Sequence, residues 1–139
     1  MTDNSHAELL QAYAETHYTV HTDEKFTLKI GELSPSLLHL FHQTNALCAA
    51  FVTAYNPFSE QLTPTQNEAL QTALKADLKK RSLKFIDGIG QHPNGQWPGE
   101  PSVLILDLDL AAATMLARHY EQNAFVWCGR DGVPQLVVA

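Results

Sequence analysis

Apolar and polar positions recur with helical spacing in some stretches and alternate in others. Leu9, Leu10, Tyr13 and Ala14 fall on one face at i, i+4 spacing. Ser5 and Glu8 before them form a capping box. The pattern predicts a helix that ends near Thr16. Residues 17–21 are rich in β-branched and aromatic side chains. In residues 24–30, Phe26, Leu28 and Ile30 alternate with Lys25, Thr27 and Lys29, the period-2 signature of a half-exposed strand. Together the two segments predict a β-hairpin.

Ser34 followed by Pro35 marks the next helix start, with Leu37, Leu38, Leu40 and Phe41 as its buried stripe and Asn45 as its stop. Residues 46–55 are almost all apolar, as in a central strand covered on both faces. Cys48, Ala50 and Ala54 lie on one side of it, where a helix can approach closely; Leu47, Phe51 and Tyr55 lie on the other. Asn56-Pro57 ends that strand, since proline has no N–H for the ladder. Thr63, Pro64 and Gln66 form a second capping box. The helix they open runs to about Lys80, with Leu70, Ala73, Leu74 and Leu78 facing the core.

Residues 83–86 read as a short strand and residues 88–101 as a long loop containing four glycines and three prolines. Unstructured loops of that length in a small domain are often functional. Residues 103–106 form a core strand. Asp109 caps a helix whose buried positions include Ala112, Met115 and Leu116. Residues 123–128 are a further strand, 129–132 a turn, and 133–138 a closing strand that Pro134 places at an edge. The expected fold is α/β, with α+β as its alternative. It is a single-domain sandwich over residues 1–139, built on a mixed sheet of about six or seven strands with about four helices.

Composition adds compartment and partner class. Apolar residues make up 45% and charged residues 17%, a globular balance. No apolar run approaches the roughly 20 residues that span a bilayer, and the acidic, polar first ten residues lack the pattern of a secretory signal. A cytoplasmic protein with no membrane partner is expected. The net charge of −6 opposes nucleic acid. Lys75, Lys79, Lys80, Arg81 and Lys84 hold five of the nine basic residues, but no aromatic residue is interleaved for base stacking; a solvated helix face is expected. Cys48 and Cys128 sit in apolar runs and read as buried, reduced thiols.

Candidate chemistry gathers at two places. Tyr55, Asn56 and Ser59 follow the central strand, where loops converge and ligands bind in open sheets. Trp97 and Glu100 lie in the Gly/Pro-rich stretch, beside Gln91, His92 and Asn94. Glu100, between Gly99 and Pro101, is the candidate general acid or base. Local turns around Asn56, and a Trp97 that plugs its own loop onto the core, explain the same residues without a ligand. His39 and His42 stand at i, i+3, but no HExxH or CxxC accompanies them, so no metal site is expected. Gly88-Ile89-Gly90 lacks the third glycine of a dinucleotide fingerprint. No P-loop or nucleophile elbow is present, and no cofactor is expected.

Residues 53–59 (TAYNPFS), Asn67, residues 97–102 (WPGEPS) and residues 122–124 (QNA) together resemble a bacterial family of small proteins classed only as a domain of unknown function. The resemblance implies a single bacterial domain and no particular activity. In that family's pattern an arginine follows the helix asparagine. Here Glu68, Ala69, Leu70 and Gln71 follow Asn67, which argues against an anion-binding role for this helix.

These residues support two functional expectations. The first is a small-ligand site, with or without catalysis, built from Tyr55, Asn56, Ser59, Asn67, Trp97, Glu100 and Gln122. Tyr55 and Trp97 would sandwich a polar or planar group, Asn56 and Gln122 would read its edges, and Glu100 would move a proton or bind an amine. The alternative is a non-enzymatic module for a protein partner or homo-oligomer, joined by strand addition at residues 133–138.

Overall fold

The structure is a computed structural model that describes residues 4–95 and 98–139, with the side chains of residues 4–6 excepted. Its elements run α1 (Asn4–Glu15), β1 (His17–Val20), β2 (Phe26–Leu28), α2 (Pro35–Thr44), β3 (Ala49–Val52), a 3-10 turn (Pro57–Ser59), α3 (Pro64–Lys80), β4 (Phe85–Gln91), β5 (Glu100–Leu106), α4 (Leu110–His119), β6 (Ala124–Cys128) and β7 (Pro134–Val138).

The helix ends form where their capping chemistry lies. Ser34 Oγ accepts from Leu37 N–H at 3.1 Å, and Asn45 closes α2 in the left-handed region. Thr63 and Gln66 cap α3 reciprocally. Asp109 Oδ1 accepts from Ala112 N–H at 2.8 Å. The Ser5 half of the expected α1 capping box lies outside the described side chains.

The seven strands form one sheet in the order β2-β1-β4-β5-β3-β6-β7. The α/β class and the strand and helix counts agree with expectation. Every pairing, however, is antiparallel, in place of the mixed sheet expected from sequence. The reason lies in the crossovers. α2, α3 and α4 each join two strands that point the same way, as helical crossovers do. In each case at least one strand of opposite direction lies between the two strands joined.

The sheet also curls. The chain leaving β2 meets the start of β7, with Gly31 N–H donating to Pro134 O at 2.8 Å and Ser34 N–H to Gly132 O at 2.9 Å. One face buries Val20, Leu28, Leu104 and Val126 against Leu37, Leu40 and Phe41 of α2. The other buries Ala50, Val52, Val103 and Ile105 against Leu74 and Leu78 of α3 and Ala113, Leu116 and Ala117 of α4. The small side of β3 therefore faces the helices, as its alternation implied.

Several expectations are corrected. Residues 88–91 and 100–101 are strand, so the expected loop loses both its ends. Glycine and proline read as loop, but here the packing requires Gly88 and the pairing tolerates Pro101. A Cβ on Gly88 would lie 2.5 Å from Thr19 O and 2.9 Å from the Phe51 ring. Pro101 lies beyond the end of β3, which pairs with β5 only over residues 103–106; there a missing N–H costs no rung on that side. β3 is shorter than residues 46–55 and β2 shorter than residues 24–30. Leu38 and Met115 are exposed, Met115 by 71%, and Ala73 faces solvent. The core stripe of α3 is instead Asn67, Gln71, Leu74 and Leu78, half of it polar.

Candidate functional site

The apolar face that α2 covers changes character toward one end. Along β5, Leu106 and Leu104 are core residues, but the next two positions on that face are Ser102 and Glu100. Along β3, Phe51 is followed on that face by Thr53, and Gly90 and Ala124 are the small residues contributed by β4 and β6. Large side chains fill one end of the face and small ones leave the other open. Leu9, Ala12 and Tyr13 of α1, with Thr16 just after it, form the facing wall. The cavity between them measures about 590 Å³, within the usual range for small-molecule sites.

The turn after β3 is strained and clamped. Asn56, Phe58 and Ser59 have φ of 50°, 52° and 61°, a region that costs a non-glycine residue about 1 kcal/mol or more. The connection from α4 to β6 holds it there. Phe58 N–H donates to Glu121 O, Gln122 Nε2 to Tyr55 O at 3.0 Å, and Asn123 Nδ2 to Ser59 Oγ at 2.8 Å.

Asn56 is the hub. Its Oδ1 accepts from Leu62 N–H at 3.0 Å and from Asn67 Nδ2 at 2.8 Å. Its own N–H donates to Asn67 Oδ1 at 2.8 Å. Backbone donors thus fix the orientation of both amides, since only an oxygen can accept from an N–H. The Asn56 Nδ2 group must then face Glu100, and it donates to Oε2 at 2.7 Å. One helical turn along from Asn67, Gln71 Oε1 accepts from Ala54 N–H at 2.9 Å. The backbone N–H groups of Ala54 and Asn56, just past the end of β3, are satisfied by side chains of α3. Thr53 Oγ1 bridges the same gap by donating to Pro101 O at 2.7 Å.

Burial raises the Glu100 carboxyl above its ordinary range, and the hydrogen bond from Asn56 draws it partly back. The phenol of Tyr13 is raised by burial, lowered by its contact with Ser59 and raised again by the charge of Glu100. Tyr18 is raised chiefly by burial and Tyr55 by burial, Glu68 and Glu100. α1 is tied down at this corner. Tyr18 Oη donates to Tyr13 O at 2.6 Å, and buried His92 lies 3.0 Å from Glu15 through Nε2. Asn94 N–H donates to His92 Nδ1, so the ring proton sits on Nε2, toward Glu15.

The structure brings Tyr55, Asn56, Ser59, Asn67, Glu100 and Gln122 to the rim or wall of this one cavity; Trp97 lies outside the described residues. Sequence reasoning missed Tyr13, Thr53 and Gln71. For Gln71 a signal existed, since it stands four residues after Asn67 and shares its helix face. For Tyr13 none did, because an apolar helix stripe reads the same over a core and over a cavity.

Other candidates have structural roles. Asp107 Oδ1 accepts from Leu47 N–H at 2.7 Å. Lys75 pairs with Asp87 and Arg81 with Asp77. Both cysteines are free; burial pushes the Cys128 thiol up to about 12, which makes it a poor nucleophile. Among the described residues, no group of three His, Cys, Asp or Glu is placed to hold a metal ion, and no helix is long and apolar enough to cross a membrane.

No curated protein and no solved structure was found to match the chain. A family match exists and covers the site: it begins at the end of β3, takes in the Asn56 turn, α3, β4, β5 and α4, and stops within β6. Over residues 52–125, more than half of its length, the chain matches the family described as Protein of unknown function (DUF3293), and it belongs to that family.

Proposed function

We propose that this protein binds a small polar or planar ligand in the cavity between α1 and the open end of the sheet. The observation that carries the reading is the Asn56 hub. A strained turn, two amides of fixed orientation and a half-buried carboxyl converge on a space large enough for a ligand. Fold stability alone requires neither the strain nor the half-buried charge, and both are commonly concentrated at sites. In this reading Tyr55 contributes a ring with a polar tip, Ser59 and Tyr13 contribute hydroxyls, and Asn67 and Gln122 hold the turn. Glu100 is the group placed to exchange a proton with what is bound.

Strand addition to a protein partner is the weaker reading. The Pro134 end of β7 is already occupied by Gly31. A thermal-shift screen against nucleotides, amino acids and sugars tests the cavity reading, run beside an Ala12→Phe variant that fills the cavity from α1. Hits that shift the wild-type protein and not the variant support it. Hits that shift both equally place binding elsewhere.

A further inference from the structure

Glu100 is the only side chain with a formal charge among the described residues lining the cavity; no Lys, Arg or His joins it. Its Oε2 takes the Asn56 amide, and its Oε1 accepts no hydrogen bond from a described residue. Described side-chain N and O atoms that are fully buried all have partners, so Oε1 is an acceptor still open to the cavity. Tyr13, Tyr18, Phe51 and Tyr55 line the same cavity. Aromatic faces attract cations, and more so where water is excluded. An anionic group entering here would meet a carboxylate with no compensating cation, a like-charge contact that opposes binding. An ammonium would supply the opposite charge that the half-buried Glu100 lacks.

Building on the cavity reading above, we propose that the ligand is an amine with a planar or apolar body, its ammonium held by Glu100 Oε1 and its body against the aromatic wall. The Asn56 amide then orients the carboxylate toward the ligand. Amine binding requires the ionised carboxylate, so affinity falls as pH falls through the raised Glu100 pKa.

Three matched probes test this: phenethylamine, its neutral analogue phenethyl alcohol and its anionic analogue 3-phenylpropionate, titrated by calorimetry into the wild-type protein and into Glu100→Gln. The proposal expects phenethylamine to bind about tenfold or more tightly than the alcohol, the worth of one charged hydrogen bond, and 3-phenylpropionate to be the weakest. Glu100→Gln should remove the amine's advantage over the alcohol. Equal binding of amine and alcohol, or a preference for the anion, overturns the amine assignment and leaves the cavity reading standing. Binding of none of the three, with hits from the wider screen blocked by Ala12→Phe, also overturns the assignment alone. If no compound of any charge binds at the cavity, both fall.

Discussion

Asn56 and Asn67 grip each other through both ends of the Asn67 amide. Its Oδ1 accepts from the Asn56 backbone N–H at 2.8 Å, and its Nδ2 donates to the Asn56 side-chain oxygen at 2.8 Å. One residue lies in the turn after β3 and the other in the first turn of α3. Their pairing fixes where the strand end points and, through Asn56 Nδ2, where Glu100 points.

Such a pair acts as a unit. Asn67→Ala leaves an N–H of a strained residue without its partner and should cost about 2 kcal/mol or more in urea unfolding. Asn56→Ala should cost more, because alanine tolerates the left-handed region less well than asparagine. The double variant should fall short of the sum by about 1–2 kcal/mol. Additive losses would show that the two residues do not share one network.

On α3, Gln71 and Ala73 exchange the roles that hydrophobicity assigns them. Gln71 is buried and holds Ala54 N–H, while Ala73 faces water. Gln71→Leu should therefore destabilise by about 1–3 kcal/mol despite being more apolar, and Ala73→Gln should change stability by less than about 0.5 kcal/mol. Equilibrium unfolding of both variants checks the order, and the reverse order would contradict the placement of the helix.

Gly88 has no room for a side chain. A Cβ there meets the Thr19 carbonyl, which is backbone and cannot rotate away, as well as the Phe51 ring. Gly88→Ala should cost about 3 kcal/mol, at the top of the range for overpacking. Gly95, at φ 64° but in open space, should cost about 1 kcal/mol on the same change. Thermal melts that rank Gly95→Ala as the more damaging would contradict the β4 register.

Glu100 gives stability a pH dependence of known sign. Its folded pKa is raised, so between the unfolded and folded values the native state holds the proton more tightly. Its contribution is fully present below the unfolded carboxyl pKa and is lost as pH rises through the folded one. Glu100→Gln removes that loss. The variant should match the wild-type protein near pH 4 and exceed it at pH 7 by on the order of 1 kcal/mol, a common gain when a functional-site group is neutralised. A variant less stable at pH 7 than at pH 4, relative to wild type, would show that the carboxylate is held for structure.

Elements encoded locally were legible in the sequence. Ser34, Pro35 and Asn45 bound α2, Thr63 and Gln66 open α3, and Asp109 opens α4 where their side chains can bond the first turn. The family resemblance was legible too, because residues 53–59, Asn67 and Glu100 all fall in the matched span. Features set by distant partners were not. Gly88 sits in a strand because the Thr19 carbonyl and the Phe51 ring leave no room there for a side chain. The antiparallel sheet follows from strand order, which periodicity does not record. The convergence of Asn56, Glu100 and Gln122 was readable as a proposal from two strand ends. Tyr13 and the role of α1 as a wall became visible only with the cavity.

The central claim is that ligand enters between α1 and the Asn56–Glu100 pair. The most direct measurement is a two-dimensional amide NMR titration of the wild-type protein with the best-binding compound, following the side-chain NH₂ signals of Asn56 and Asn67. Binding in the cavity predicts that both signals shift in step with the backbone amides of Tyr13, Tyr55 and Glu100, at one common dissociation constant. Shifts confined to another surface, such as the depression formed by Leu38, His42, Leu47 and Arg130, with the two asparagine signals unmoved at saturation, would contradict it.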